Sequence, residues 1–179
     1  VDEKYLHLAQ MTGKVLAKLS LSLVYGGARV GLMGAMADAA MASGGSVLGV
    51  IPAALREREL AHQGLTELVV CDSMATRKAT MFAHSAAFVT LAGGFGTLDE
   101  LYEVVTERQI GLHHKRIAVL NTAGFYDGQR DWLAVAVREK LISGELATAI
   151  EFIDHQDLAD GESVLTRWLS AVFTQSSRT

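Results

Sequence analysis

The residues with the plainest capacity for chemistry lie in one stretch, TLAGGFGTLDELYEVV, residues 90–105. Gly93, Gly94, Phe95, Gly96 and Thr97 separate an apolar run from a helix-like run that opens with Asp99 and Glu100. Small residues ahead of a helix let a ligand approach the backbone, and the amide N–H groups of a helix start point at an anion. Thr97 adds a hydroxyl donor. The pattern suggests a phosphate cradle; the blander reading is a tight strand-to-helix turn. The acids also have two readings. They complement the helix dipole, which stabilises by roughly 0.3–1 kcal/mol, or they hold a carboxylate near whatever carries the phosphate. Glu103 is spaced to share a helix face with Glu100.

Two carboxylates beside a phosphate repel it unless cations intervene. The stretch TRKAT, residues 76–80, offers Arg77 and Lys78 near the start of another helix. Adjacent helix residues diverge in direction, so one of the pair can reach a site that the other cannot. The plain alternative is an exposed basic pair. A second glycine cluster, YGGARVGLMG at residues 25–34, carries Gly26, Gly27, Gly31 and Gly34 and also links a strand to a helix. Neither cluster matches a P-loop, because no lysine follows the glycines. Neither matches the dinucleotide fingerprint: GGARVG has the wrong spacing, and no acid ends the next strand to take a ribose. NAD binding is therefore disfavoured.

The elements that must position these residues follow from periodicity. Apolar residues recur at helical spacing from about residue 4 to 19. Continuous apolar runs at 21–27, 46–52, 65–72, 86–92 and 115–121 read as strands, and 149–153 as a sixth. Between them lie helix-like stretches at 30–45, 73–85, 98–111, 127–142 and 157–173, with 53–60 a short charged helix or loop. Ser73 is a candidate N-cap, and Gly44–Gly45 supplies a stop. Alternating strands and helices, with strands that do not alternate polar and apolar, predict a parallel sheet buried on both faces. The expected fold is α/β, a single-domain, Rossmann-like doubly wound sheet over residues 1–179, with ligands beyond the carboxyl ends of the strands.

The totals set the outer bounds. The chain has 179 residues, half of them apolar and a fifth charged, which is a globular composition. A net charge of −4 argues against general binding to nucleic acid or to an anionic membrane. One cysteine, Cys71, allows no intrachain disulfide and suits a reducing cytoplasm. No apolar run reaches the ~20 residues of a membrane span, and the charged start VDEKYLHLAQ is unlike a signal peptide. His113 and His114 adjoin, but the six histidines show no metal-ligand spacing and read as surface or structural.

YGGARVGLMG, REREL, LTELVVCDSMATRKATMF and GGFGTLDELYEVVTERQIG, in that order, resemble the Lonely Guy family of cytokinin riboside 5′-monophosphate phosphoribohydrolases, formerly mislabelled lysine decarboxylases. The resemblance runs from about residue 5 to beyond 130. Its signature is an Arg-Lys pair followed by Pro-Gly-Gly-x-Gly-Thr-x-x-Glu. It implies hydrolysis of the N-glycosidic bond of an adenine-type nucleoside 5′-monophosphate, a cytokinin riboside monophosphate or AMP, to free base and ribose 5-phosphate. It implies Arg77 and Glu100 as the catalytic pair and Gly93, Gly94, Phe95, Gly96 and Thr97 as the phosphate loop. Lys78, Glu59, Glu103, Thr106, Gly26 and Gly27 would line the nucleotide site. It also implies a homodimer or larger assembly; the helices at 32–42 and 98–110 are candidate faces, although core packing explains both equally well. No metal or redox cofactor is expected. Arg77 is always charged, so its role would be to steer phosphate or ribose oxygens and Glu100. Lysine decarboxylation would need a Schiff-base lysine, and the sequence singles none out.

The chain departs from the family pattern at Ala28, Ala86, Ala92 and Arg116, which stand where glycine, aspartate, proline and proline are usual. These changes motivate the alternative of a binding protein of the same fold that holds a nucleotide or phosphorylated cofactor without cleaving it. The family also opens with a central strand that this sequence lacks, so residues preceding Val1 are expected in the natural protein.

Overall fold

A computed structural model of the chain describes residues 1–56 and 61–175. The contacts gather into two compact units, Val1–Ser85 and Ala86–Thr179. Each carries a three-stranded parallel sheet.

In the first unit the order is α1 (Glu3–Lys18), β1 (Leu23–Tyr25), α2 (Gly31–Ala42), β2 (Val47–Pro52), α3 (Ala53–Arg56), β3 (Glu67–Cys71) and α4 (Met74–Ala83). Every residue of β2, which lies between β1 and β3, is buried. The edge strand β3 is partly exposed: Glu67 faces solvent and Val70 is 43% accessible. A parallel sheet buried on both faces therefore describes β2 but not β3. Ser73 caps α4 as expected, its hydroxyl accepting from the Thr76 amide at 3.1 Å. Gly44, with φ of +80°, follows the last turn of α2. Ala37 and Ala40 of α2 are buried with Leu23, Tyr25 and Val47, and Met33, Met36 and Met41 pack onto that cluster. The small and sulfur-bearing side chains of α2 are thus used by the core of this unit.

The second unit runs β4 (Phe88–Thr90), α5 (Phe95–Gln109), β5 (Ile117–Thr122), α6 (Asp127–Arg138), α7 (Gly144–Ala147), β6 (Ile150–His155) and α8 (Leu158–Gln175). Here β5 is the fully buried central strand. The single turn α7 was not legible in the sequence, being set by Ser143, whose hydroxyl accepts from the Leu146 amide at 3.1 Å. The important shift is in α5. Its N-cap is Gly94 and its first turn begins at Phe95, not at Leu98. Glycine composition had marked residues 93–97 as loop, but Gly94 and Gly96 stand in open space at the helix start. There their poor helix propensity costs little, since a helix N-terminus tolerates glycine at the cap.

Arg116, a departure from the family pattern, has a structural role. Its guanidinium donates two hydrogen bonds to the Glu151 carboxylate and lies 5.0 Å from the Trp168 ring centroid. The Trp168 indole donates to the same carboxylate at 2.9 Å. The Arg116 hydrogen bond is the main reason that the Glu151 carboxyl sits below its ordinary range; burial opposes it and the indole assists. That stabilisation is present above the ordinary carboxylate pKa of 4.5 and is lost as pH falls through the lowered value. Arg116→Ala is expected to destabilise the fold by on the order of 1 kcal/mol at neutral pH. The deficit should shrink in acid, as checked by urea midpoints at pH 7 and pH 3.

Candidate functional site

In the first unit the geometry centres on Arg77. It lies on the second turn of α4 and is 7% exposed, while Lys78 beside it is half-buried. The pair diverges as adjacent helix residues must. The Arg77 guanidinium lies over the backbone at Gly26, just beyond β1. A Cβ built at Gly26 would fall 2.0 Å from Arg77 Nη2 and 3.0 Å from Cζ. Arg77 Nη1 also approaches Met74 Sδ at 3.6 Å. Gly27 follows with φ of +76°, a conformation that L side chains rarely adopt. The next residue, Ala28, is fully buried and bridged to Ala61. Its φ is not positive, so alanine replaces glycine there without backbone strain.

His62 locks this loop. Its amide donates to the Gly27 carbonyl at 3.0 Å. Its ring Nδ1 accepts from the Gly64 amide at 3.1 Å, which leaves Nε2 to donate to Asp38 Oδ1 at 2.9 Å. The neighbouring Glu59, assigned to the nucleotide site by resemblance, lies outside the described residues.

In the second unit the phosphate-loop residues form the start of α5. No side chain caps the helix and no acid occupies its first turn. The first intrahelical bond runs from the Leu98 amide to the Gly94 carbonyl at 3.1 Å. The amides of Phe95, Gly96 and Thr97 therefore precede the helical ladder, where a helix leaves its donors without internal partners. Phe95 is 93% exposed. The Thr97 side chain folds back over Gly93, where a Cβ would fall 2.1 Å from Thr97 Oγ1.

The revised helix start changes the reading of the acids. Asp99 and Glu100 are the fifth and sixth residues of α5, past its first turn. Dipole complementarity fades beyond that turn, so it does not explain them. At 3.6 residues per turn, Gly96, Glu100, Glu103 and Glu107 fall within roughly 60° of arc. They form a face beside the buried one of Leu101, Val104 and Val105. One carboxylate oxygen each of Glu103 and Glu107 is shielded from solvent. Thr106 is exposed, and its hydroxyl donates to the Tyr102 carbonyl at 2.7 Å.

Tyr126 and Asn121 belong to the surroundings of this helix start and were not singled out from the sequence. Tyr126 is 2% exposed, and its hydroxyl donates to the Leu91 carbonyl at 2.7 Å. Burial pushes its phenol up to about 12, against the pull of a hydrogen bond from the Gly93 amide. It is therefore a neutral donor at physiological pH. The available signal was the stretch NTAGFYD, residues 121–127, a polar and glycine-bearing exit from an apolar strand.

The buried histidines fit the structural reading. His113 Nδ1 accepts from the Lys115 amide at 3.0 Å and its Nε2 donates to the Val104 carbonyl at 2.8 Å. His155 pairs with the Thr122 hydroxyl at 2.9 Å. Among the described residues, no cluster of three or more His, Cys, Asp or Glu is arranged to hold a metal ion. No described helix is long and apolar enough to cross a membrane.

Comparison with known proteins adds to this geometry. The profile of a family described as possible lysine decarboxylase matches residues 33–160. A cytokinin riboside 5′-monophosphate phosphoribohydrolase from Rhodococcoides fascians is 46% identical over 141 residues, which cover 78% of this chain and 71% of that protein. One from Mycobacterium marinum is 43% identical over 152 residues, covering 85% and 81%. Among solved structures, the molybdenum cofactor carrier protein of Chlamydomonas reinhardtii has a TM-score of 0.66 at 19% identity, covering 95% of this chain and 91% of that one. The last likeness shows the fold alone, and with the parallel strands and intervening helices it establishes a Rossmann-like α/β architecture.

Proposed function

Because the chain belongs to the cytokinin riboside 5′-monophosphate phosphoribohydrolase family, we propose that it hydrolyses the N-glycosidic bond of adenine-type nucleoside 5′-monophosphates. The observation that carries this reading is the start of α5, an uncapped, acid-free helix N-terminus made of glycines and Thr97. It suits a dianionic 5′-phosphate, bound by amides and the helix dipole without a lysine. The phosphate then supplies binding energy remote from the reacting bond, which positions the sugar.

In the reaction the C1′–N9 bond breaks with its electron pair leaving on the base. Positive charge builds on the sugar, as in glycoside hydrolysis. Water adds its oxygen to C1′, one water proton is released, and the base nitrogen takes up a proton. Glu100, one turn along α5 from Gly96, is assigned to stabilise the cationic sugar or to orient the water. Arg77, buried and permanently charged, is assigned to hold phosphate or ribose oxygens. Gly26 gives room for that guanidinium, and Gly27, at φ of +76°, makes the turn beside it; both are assigned to the substrate surroundings. Lys78, Glu59, Glu103 and Thr106 are assigned to the nucleotide surroundings. A decarboxylase would need a lysine placed for a Schiff base; the start of α5 instead offers amides, with carboxylates only beyond its first turn.

We assign the protein to the cytoplasm, which suits a lone buried thiol at Cys71. A homodimer or larger assembly would cover Ile110 and Leu112, which are 65% and 66% exposed just beyond α5. Sedimentation of a monomer at micromolar concentration would remove that assignment.

The direct test is incubation with AMP and with an isopentenylated riboside monophosphate, followed by chromatography of the base and assay of ribose 5-phosphate. Equimolar release of both products from either nucleotide is expected. Saturable binding with no release over many hours would replace the enzyme with a binding protein.

A further inference from the structure

Residue 92 is the hinge into the phosphate loop. As alanine it lacks the ring that would fix its φ, so the backbone ahead of Gly93 is intrinsically freer than with proline. The structure restrains it in another way. The Tyr126 hydroxyl donates to the carbonyl of Leu91 at 2.7 Å. One buried phenol thus holds the chain immediately ahead of Ala92, itself 6% exposed.

The phenol is held from behind. The Tyr126 amide donates to Asn121 Oδ1 at 2.7 Å. Asn121 Nδ2 donates to Asp127 Oδ1 and to Asp154 Oδ1, each at 2.7 Å. Arg130 Nη2 donates to both oxygens of Asp154, at 2.8 and 2.9 Å. The Phe125 ring meets the Tyr126 ring edge-on, with centroids 4.8 Å apart. The carboxyl ends of β5 and β6 therefore fix where the phenol sits. Gly93, the residue after Ala92, lies under Thr97, so the anchor reaches the first turn of α5.

We propose that Tyr126 is a positioning residue for phosphate recognition: by anchoring the Leu91 carbonyl just ahead of Ala92, it holds the α5 amides in the orientation that a 5′-phosphate needs. This rests on the proposed reaction, since it assumes that the start of α5 takes the phosphate. Tyr126 need not touch substrate. Its loss should act on the phosphate-bearing part of binding and leave the chemical step intact.

The test is Tyr126→Phe, which keeps the ring and removes the hydrogen bond to Leu91. Inorganic phosphate is used as a competitive inhibitor of AMP hydrolysis. For the variant, the phosphate inhibition constant and the KM for AMP are each expected to rise about tenfold, the worth of roughly one lost hydrogen bond. Saturated kcat should stay within about twofold of wild type. Asn121→Ala, which removes the bond that aims the phenol, should raise the same inhibition constant by a smaller factor, about threefold. A melting scan checks that each variant is folded. A folded Tyr126→Phe with unchanged phosphate inhibition overturns the proposal, as does a loss confined to kcat. A wild-type enzyme that cleaves AMP but is not inhibited by phosphate overturns the anchor's purpose. A wild-type protein that neither cleaves AMP nor binds phosphate fails the functional reading itself, a distinguishable result.

Discussion

Glu100→Gln releases base from AMP at a rate lower by on the order of 10³-fold, yet binds the nucleotide nearly as well as the wild type. That expectation follows from charge. The reacting sugar becomes cationic only in the transition state, so a carboxylate acts on kcat far more than on binding. Glutamine keeps the length, the helix propensity and most of the hydrogen-bonding capacity of glutamate. The competing account, a charge that complements the helix dipole, predicts the opposite pattern. It gives a stability loss of roughly 0.3–1 kcal/mol and full turnover. The position of Glu100 as the sixth residue of α5 already disfavours that account. Single-turnover kinetics and AMP titration calorimetry on the same preparation decide it. Turnover within tenfold of wild type would remove Glu100 from its assigned role.

Gly26→Ala is the second large effect, and it is expected to damage activity while sparing the fold. The new Cβ would meet Arg77 Nη2 at 2.0 Å, Cζ at 3.0 Å and Met33 Sδ at 3.3 Å. The clashing atoms are the far ends of flexible side chains. They can swing away at small cost in stability, in contrast to a clash with backbone. What cannot survive is the placement of the guanidinium over Gly26. If Arg77 steers substrate oxygens, kcat/KM should fall by about 10²-fold, the scale on which a misplaced catalytic group acts. A double-mutant cycle gives the sharper readout. Once Arg77→Ala has been made, adding Gly26→Ala should cost almost nothing further, because the group it displaces is gone. Additive losses would mean that Gly26 matters for some reason other than Arg77.

Several features were legible from local chemistry alone. The order and type of the strands and principal helices followed from apolar runs and helical spacing, because those patterns report which face of an element is buried. The Ser73 cap followed from a hydroxyl placed before a helical run, and it accepts the Thr76 amide as such a residue should. The glycine clusters and the Arg77–Lys78 pair stood out by residue type, and the resemblance to the family was read from them. Arg116 and Ala28 looked like defects when set against the family pattern. The structure gives Arg116 a carboxylate and an indole to hold, and places Ala28 at ordinary φ in a fully buried site.

What the amino-acid order determined on its own was the alternation of elements, the glycine-lined strand exits and the identity of the chemically competent side chains. These depend on neighbours within a turn or a strand. Only the tertiary structure decided that α5 begins at Phe95, that Arg77 lies on Gly26, and that Tyr126 holds the carbonyl just ahead of Ala92. Each of these joins segments far apart in the chain, or depends on the open space around a glycine. Tyr126 and Leu91, for example, are 35 residues apart. Periodicity carries no record of which distant backbone group a buried hydroxyl will find, because that pairing is fixed only when the packed core leaves the hydroxyl a single partner within reach.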